Sequence, residues 1–470
     1  MIPTLLRLLR VGWTLARYDV IIPRELAGRL PPAGKWVGRL ARIGSPPLQG
    51  DTGTRMAAAL ERLGPAWIKF GQFLATRPDI IGVEAATGLS RLKDRLAPFS
   101  RAEALSALAD EFGGEAEVRA LFGELGEPVA AASIAQVYRQ TLPDGRVVAV
   151  KILRPGIEAV IEKEGKALSL LAWLGEHLTR DGKRLRPRAF TATIQDALRK
   201  ELDLRREAGS GSAFGEIAAF DGYLKAPAID WDRTGKRVLT TDWVEGTPLT
   251  SPGALDQVDR ADFANRITCG FLAAALDHGV FHADMHEGNL IAGADGALWA
   301  VDYGIMGRIG PDEQRYLAEI LYGFIRRDYR RCAEVHLEAG YVPADRDAGE
   351  FAHALRAIGE PIWGRPASQV SMGKVLLQLL DTTEQFGMAL RPELVLLQKT
   401  MVQVEGVARA IDPEHDIWTA SRPVVERFMR RELGPEGQAR RLMADLRHGL
   451  DALRRLPDLI DRLDSQLPRR

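Results

Sequence analysis

Apolar positions along the chain change their period several times, and each change marks an element. Residues 1 to about 125 carry helical periodicity, broken near Pro31-Pro32 and across 44–53. Two β-rich runs follow, at 137–141 and 147–153. They flank Pro143-Asp144-Gly145, and this turn chemistry predicts a hairpin. Helical spacing returns over 157–219, through Ile157, Val160 and Ile161 and then Leu168, Leu170 and Leu171. Residues 237–246 read as one more buried strand ending in a turn. Within 289–304 two apolar runs flank Ala294-Asp295-Gly296, a second hairpin, and from about 311 the pattern is helical to the end.

That order predicts an α+β protein of two lobes. The expected divisions are an N-terminal helical extension (1–125), a small β-containing lobe with inserted helices (126–243), a mostly helical large lobe (244–423) and a basic helical tail (424–470). Two terminal stripes are amphipathic. Leu5, Leu6, Leu9 and Trp13 read as a core-packing face, with a membrane-surface face as the alternative. The tail holds 11 arginines against 8 acids, with Leu446, Leu450, Leu453, Leu456 and Leu463 near helical spacing. It suits a terminal packing helix or an interfacial helix drawn to anionic lipid equally well.

Composition narrows the classes. The 63 basic and 63 acidic residues cancel, so nucleic acid is not an expected partner. Two cysteines far apart, Cys269 and Cys332, exclude a disulfide scaffold or a cysteine-based zinc site and suit a reducing compartment. No window approaches 18 consecutive apolar residues, and the first residues lack a small-residue cleavage site. The expected location is therefore cytoplasmic, soluble or peripheral.

Three elements stand in the order that phosphoryl transfer requires. Val148-Ala149-Val150-Lys151 lies on the second strand of the first hairpin. There a strand lysine can project into a cleft and hold ATP phosphates as a point charge. His282-Ala283-Asp284-Met285-His286-Glu287-Gly288-Asn289 has the Asp-x4-Asn spacing of a kinase catalytic loop, with Asp284 as base and Asn289 as magnesium ligand. Val301-Asp302-Tyr303-Gly304 ends the second hairpin, where the Asp302 carboxylate suits a hard cation between phosphates. Each alone is weak; together they predict a Mg-ATP site.

Two rival readings of these segments are less well supported. His278, His282, Asp284 and His286 are close enough in sequence for a metal site. Gly279 and the β-rich flanks argue against the helix that would join them, and His282 reads as a buried structural residue of the loop. Gly209-Ser210-Gly211 with Gly215 is off-register for a dinucleotide fingerprint and follows a charged helical stretch rather than a strand.

At this point the sequence closely resembles the UbiB family, the atypical protein-kinase-like proteins of ubiquinone biosynthesis, from roughly residue 55 to 415. The segment 63–79 holds a K-x-G-Q signature as Lys69, Gly71 and Gln72, and 130–139 matches the family's alanine-rich loop. The segment 200–208 matches its E-x-D motif as Glu201 and Asp203, followed by Glu207; 392–413 looks like its C-terminal helical segment. The resemblance implies a protein-kinase-like fold and a nucleotide held by Ala130, Ala131, Ala132, Ser133, Lys151, Asp242 and Val244. It implies a Lys151–Glu207 pair in the catalytic machinery with Asp284, and Mg2+ on Asn289 and Asp302. It also implies regulatory roles for Lys69, Gln72, Glu201 and Asp203. Lys69 is expected to meet Glu201 or Asp203, its helix lying where a peptide substrate would bind. Alanine methyls restrict positive φ and close approach to phosphates, so the grip on nucleotide should differ from that of a glycine-rich loop.

The chain departs from the family pattern at Met285 and Glu287, at Tyr303 for a more usual Phe, and at Tyr138 for a common His. Family members often continue into membrane-spanning helices; none is present here, whether through truncation or as a naturally anchorless member. The function implied is an ATP-dependent, Mg-requiring ATPase or atypical kinase needed for ubiquinone biosynthesis. It would be peripheral on the cytoplasmic side of a bacterial inner membrane and act on or be gated by polyprenyl quinone precursors. Anionic lipid, other proteins of ubiquinone biosynthesis and a second copy of the chain are the candidate partners. The alternatives are a small-molecule phosphotransferase of the aminoglycoside or choline type, and a nucleotide-gated lipid-binding chaperone that transfers no phosphate.

Overall fold

The computed structural model describes residues 2–20, 50–75, 81, 83–89, 92, 97–178, 187–362 and 392–434, with scattered positions between 375 and 388. Among these residues fifteen α-helices and nine short strands make a mostly helical α+β fold. The chain forms two compact units. The first takes Met1–Ala213, Pro227–Val244 and Asp302–Gly304; the second takes Phe214–Ala226, Glu245–Val301 and Ile305–Arg470.

In the first unit, a four-stranded antiparallel sheet runs in the order β1 (Pro128–Ala131), β2 (Ala135–Thr141), β3 (Val147–Leu153), β4 (Val238–Asp242). The β2–β3 hairpin turns at Pro143-Asp144-Gly145, where Asp144 Oδ1 accepts from the Arg146 N–H at 2.9 Å. Strand β1 had no strand pattern of its own in the sequence; pairing with β2 makes it one.

Side chains alternate across a strand, so β3 sends Val148, Val150 and Ile152 to one face. There they meet α5 (Arg101–Phe112) and α6 (Glu115–Phe122), joined by Leu108, Val118 and Phe122. A Ser100–Glu103 capping box starts α5. The fully buried Tyr138 belongs to this core, and its hydroxyl is met by the Gln136 amide. The tyrosine that departs from the family pattern is thus a packing residue.

On the other face, Ala135, Leu153 and Leu239 pack with residues of α3 (Pro65–Ala75), α7 (Ile157–Leu178), α8 (Pro187–Glu201) and α9 (Leu204–Asp221). A third cluster joins α1 (Ile2–Arg17), α2 (Thr52–Leu63), α3 and α4 (Val83–Leu89) through Val11, Leu60, Leu63, Trp67 and Leu89. The inward face of α1 corrects the expected stripe. Leu8 and Val11 are buried, whereas Leu6, Leu9 and Trp13 are 61%, 62% and 47% exposed. The period was right, but the helix is apolar on two sides and the face carrying Leu8 and Val11 won the contact.

In the second unit, α10 (Arg260–His278) is buried over most of its circumference, from Phe263 to Leu276, the pattern of a central helix. Against it pack α11 (Pro311–Arg326), α14 (Pro392–Ile411) and α15 (Ile417–Leu433). A satellite core at Phe324, Tyr329, Cys332, Phe351 and Leu355 joins α11 to α12 (Tyr329–Glu338) and α13 (Ala348–Gly359). Strands β5 (Gly246–Pro248), β7 (Leu290–Gly293) and β8 (Leu298–Ala300) form one sheet; β6 (Val280–His282) and β9 (Met306–Arg308) pair separately. The last two are too short to carry a period of their own. Both cysteines are buried thiols. No described helix is long and apolar enough to cross a membrane. The leucine stripe of 446–463 lies outside the described residues.

Candidate active site

Strand alternation decides where Lys151 points. With Val150 and Ile152 on the α5–α6 face, Lys151 emerges on the opposite face, in register with Val137 and Leu239. Glu207 lies in the first turn of α9 and accepts from Lys151 Nζ at 2.7 Å; Asp302 Oδ2 stands 3.4 Å from the same nitrogen. Burial alone would lower the Lys151 pKa, but the Asp302 and Glu207 carboxylates outweigh it and raise it above the ordinary lysine value. Burial lifts Glu207 to about 7 against the pull of Lys151, and the Asp302 charge adds to the rise. Two carboxylates thus share one ammonium, and Asp302 is the solvent-facing one, with 48% of its side chain exposed.

Asp302 is held in a conformation that side chains avoid. Its φ is +64°, in the left-handed region, while Oδ1 accepts from the Gly304 N–H at 3.2 Å. The ion pair with Lys151 and the packing of the next residue accompany it. Tyr303 is buried, its phenol pKa raised chiefly by that burial. A Cβ built on Gly211 would come within 2.7 Å of the tyrosine ring. Gly211 follows Glu207 by one helical turn, so α9 presents Glu207 to Lys151 and a bare backbone to Tyr303 from neighbouring positions. The glycine run set aside as a dinucleotide fingerprint is helical, and one of its glycines is a packing site for the Asp-Tyr-Gly segment.

Lys69 on α3 pairs with Glu201 at the end of α8, 3.5 Å away, both side chains mostly buried. Asp203 is not brought to Lys69. It binds Arg205 through two bonds, Nε–Oδ1 at 2.8 Å and Nη2–Oδ2 at 2.7 Å, which hold its pKa low. Gln72 is half-buried on α3 beside Gly71, where a Cβ would strike Leu92 and Leu60 at 2.4 and 2.6 Å. Trp67, on the same helix, donates Nε1–H to the buried Glu164 of α7 at 2.9 Å, and Arg7 of α1 reaches that carboxylate too.

The alanine-rich segment is an edge strand and a tight turn. Ala130 and Ala131 pair with Val137 and Gln136, and Ala132 N–H donates to Ala135 O at 2.8 Å. None of Ala130, Ala131, Ala132 and Ser133 takes a positive φ. Arg154, just beyond β3, donates to the carbonyls of Ala132 and Ser133 and, at 2.7 Å, to that of Ala97. The guanidinium ties the loop down, a role that its sequence neighbourhood gave no hint of. Asp242 closes β4 opposite Val148, and the buried Val244 is the last residue of the first unit before Glu245.

The loop of the second unit is held mainly by bonds between near neighbours. Strand β6 ends at His282, which is 1% exposed. Its Nδ1 accepts from the Asp284 N–H at 3.2 Å. Its Nε2 meets Val301 O at 3.3 Å, and the chemistry of a carbonyl partner puts the proton on Nε2. Asn289 Nδ2 donates to Asp284 O at 3.0 Å, and the Val301 N–H donates to Asn289 O at 2.9 Å. His286 Nδ1 accepts from Gly288 N–H at 2.9 Å, and its Nε2 lies 3.8 Å from Asp284 Oδ2. His278, still in α10, pairs with Asp221 instead. Two contacts come from far along the chain. Gln403 Nε2 donates to Asp284 Oδ1 at 3.3 Å, and Thr400 Oγ1 to Ala283 O at 3.4 Å, both from α14. Sequence reasoning assigned neither residue a role.

Oxygen donors dominate both sets. Among the described residues no group of three or more His, Cys, Asp or Glu could hold a metal by itself. Asp302 offers a carboxylate, and Asn289, with Nδ2 engaged, offers its amide oxygen. Each is an oxygen donor of the kind that a hard cation such as magnesium takes.

Strand lysine, helix glutamate, Asp-x4-Asn loop and Asp-aromatic-Gly segment define an atypical kinase-like protein. Comparison with known proteins agrees. Residues 91–336 match the ABC1 atypical kinase-like domain and residues 355–416 the UbiB helical domain. A probable protein kinase UbiB of Marinobacter nauticus is 38% identical over 97% of this chain and 84% of its own length. That of Pseudomonas entomophila is 35% identical over 99% and 89%. The chain belongs to the UbiB family. The solved structure of Rv3197 from Mycobacterium tuberculosis, in complex with erythromycin, shares the fold. Its TM-score is 0.55 at 22% identity, covering 86% of this chain and 99% of that one.

Proposed function

We propose that this protein is a Mg-ATP-dependent ATPase or atypical kinase of ubiquinone biosynthesis, peripheral on the cytoplasmic side of the inner membrane. It would act on, or be gated by, membrane-associated isoprenoid quinone precursors. The observation that carries the reading is the Lys151–Glu207–Asp302 cluster, in which a buried lysine is fixed by two carboxylates and one of those faces solvent. Lys151 would hold ATP phosphates, with Ala130 to Ser133, Asp242 and Val244 as further nucleotide contacts, and Asp302 and Asn289 would hold Mg2+. The acceptor oxygen, from water or an alcohol, bonds to the γ-phosphorus as the bond to the β-phosphate oxygen breaks. The electrons leave on ADP, and the acceptor proton passes to Asp284. The Lys69–Glu201 pair is the candidate regulatory contact, favouring a small acceptor over a peptide by family resemblance.

The test is Mg-dependent ATP hydrolysis by the pure protein, with and without anionic liposomes and a polyprenyl-phenol analogue. Lipid-stimulated hydrolysis that Asp302→Asn lowers at least ~100-fold is expected. Nucleotide binding with no phosphate released under any condition would replace the enzyme with a nucleotide-gated binding protein. Phosphate transfer to a soluble alcohol would point to the small-molecule phosphotransferase.

A further inference from the structure

The helical domain at 355–416 has no counterpart among the catalytic elements above, yet its helix α14 reaches into the catalytic loop. Thr400 and Gln403 lie three residues apart on one face of α14, the spacing that aligns side chains on a helix. Leu397, Val404, Val407 and Ala408 bury the helix against its neighbours, among them α10, so the two polar side chains are rigidly carried. Thr400 is fully buried. Its hydroxyl lies 2.8 Å from Leu396 O and 3.4 Å from Ala283 O, beside the residue that precedes Asp284. Gln403 Nε2 sits 3.3 Å from Asp284 Oδ1. A carboxylate accepts only, so the nitrogen of the amide must face it. That orientation leaves Gln403 Oε1 buried with no donor among the described residues.

An unmet buried carbonyl is a cost that an apolar side chain of similar volume would avoid. The amide therefore earns its place by what Nε2 does. With Oδ1 engaged by Gln403, rotation of the Asp284 carboxylate is restrained and Oδ2 is the oxygen left for other partners; His286 Nε2 lies 3.8 Å from it.

We propose that Gln403 is a positioning residue: it orients the Asp284 carboxylate, so that the helical domain sets the geometry of proton transfer. This rests on the reading of Asp284 as the base. A rigid donor on one oxygen leaves the other to accept the acceptor's proton, and misplacing a catalytic group by about 1 Å costs on the order of 100-fold in rate.

The experiment compares wild type with Gln403→Leu, Gln403→Met and Gln403→Glu in the full chain, using Mg-ATP with water as acceptor and anionic liposomes present. Each is expected to lower kcat by about 10- to 100-fold while KM for ATP stays within about twofold. The Leu and Met variants should keep or raise Tm, because the unmet carbonyl is gone. Adding Gln403→Leu to Asp284→Asn should cost nothing more. Variants with wild-type kcat, or a kcat loss that follows a fall in Tm, overturn the proposal. If Asp284→Asn is inactive while the Gln403 variants turn over normally, only the positioning role falls. If Asp284→Asn keeps full activity, or wild type shows no turnover, the assignment of Asp284 falls and takes this role with it.

Discussion

Lys151 and Lys69 are both mostly buried lysines of the first unit, and each meets an acid from the segment 200–208, yet the two are held in different ways. Lys151 stands on a strand whose neighbours fix its direction. It makes a 2.7 Å hydrogen bond to Glu207 and lies 3.4 Å from Asp302. Lys69 stands on a helix, 3.5 Å from Glu201, an ion pair longer than its counterpart. The difference teaches that similar burial does not mean similar purpose. Around Lys151 the charges are out of balance, with two carboxylates for one ammonium, and a cation would relieve that. The Lys69 contact ties α3 to α8, two elements that already share a core through Phe70 and Leu198.

Removing Lys151 should break this contrast most severely. Lys151→Met leaves Glu207 buried beside Asp302, which should destabilise the fold by about 3 kcal/mol above pH 7 and lower ATP turnover at least ~100-fold. Thermal unfolding and steady-state kinetics read both effects. The stability loss should shrink at lower pH, where Glu207 takes up a proton.

The next effect sharpens the comparison through pH. The Glu207 pKa is raised from 4.5 to about 7 in the folded protein. Between those values the native state holds a proton that the unfolded chain has lost. Stability is therefore fully present below pH 4.5 and falls as pH rises towards 7. Relative to Glu207→Gln, wild type should lose about 2–3 kcal/mol across that window. Melting curves of the two proteins at a series of pH values give the difference directly, and parallel curves would overturn the assignment. His336 and His415, buried with lowered pKa values, act in the opposite sense in both proteins and cancel in the difference.

Lys69→Ala should do least to stability, about 2 kcal/mol, because it strips an ammonium from one mostly buried carboxylate, Glu201, rather than from two, and the helices keep their apolar contacts. A loss as large as that of Lys151→Met would remove the distinction between the two lysines.

The Asp-x4-Asn loop shows why part of the site was legible. Asp284, His286, Gly288 and Asn289 bond to one another within five residues, so spacing carries geometry. The hairpin turns at Asp144 and Asp295 are equally local. Lys151 was legible for another reason: once β3 is a strand, its period of two sets the face. Choices between like candidates were not legible. Nothing local says that Lys69 meets Glu201 while Asp203 turns to Arg205, or that Leu6, Leu9 and Trp13 face outward.

By itself the sequence determined the order of the helical and hairpin segments, the turn chemistry, the facing of Lys151 and the local character of the Asp-x4-Asn loop, because each depends on periods or contacts a few residues long. Tertiary structure alone decided which distant groups meet: Arg154 on the alanine-rich turn, Gly211 under Tyr303, Gln403 on Asp284. Those contacts depend on how helices pack, and packing is settled by the shape and volume of many side chains at once. A residue whose partner lies more than a hundred positions away, as Gln403 does from Asp284, carries no mark of it in its own neighbourhood.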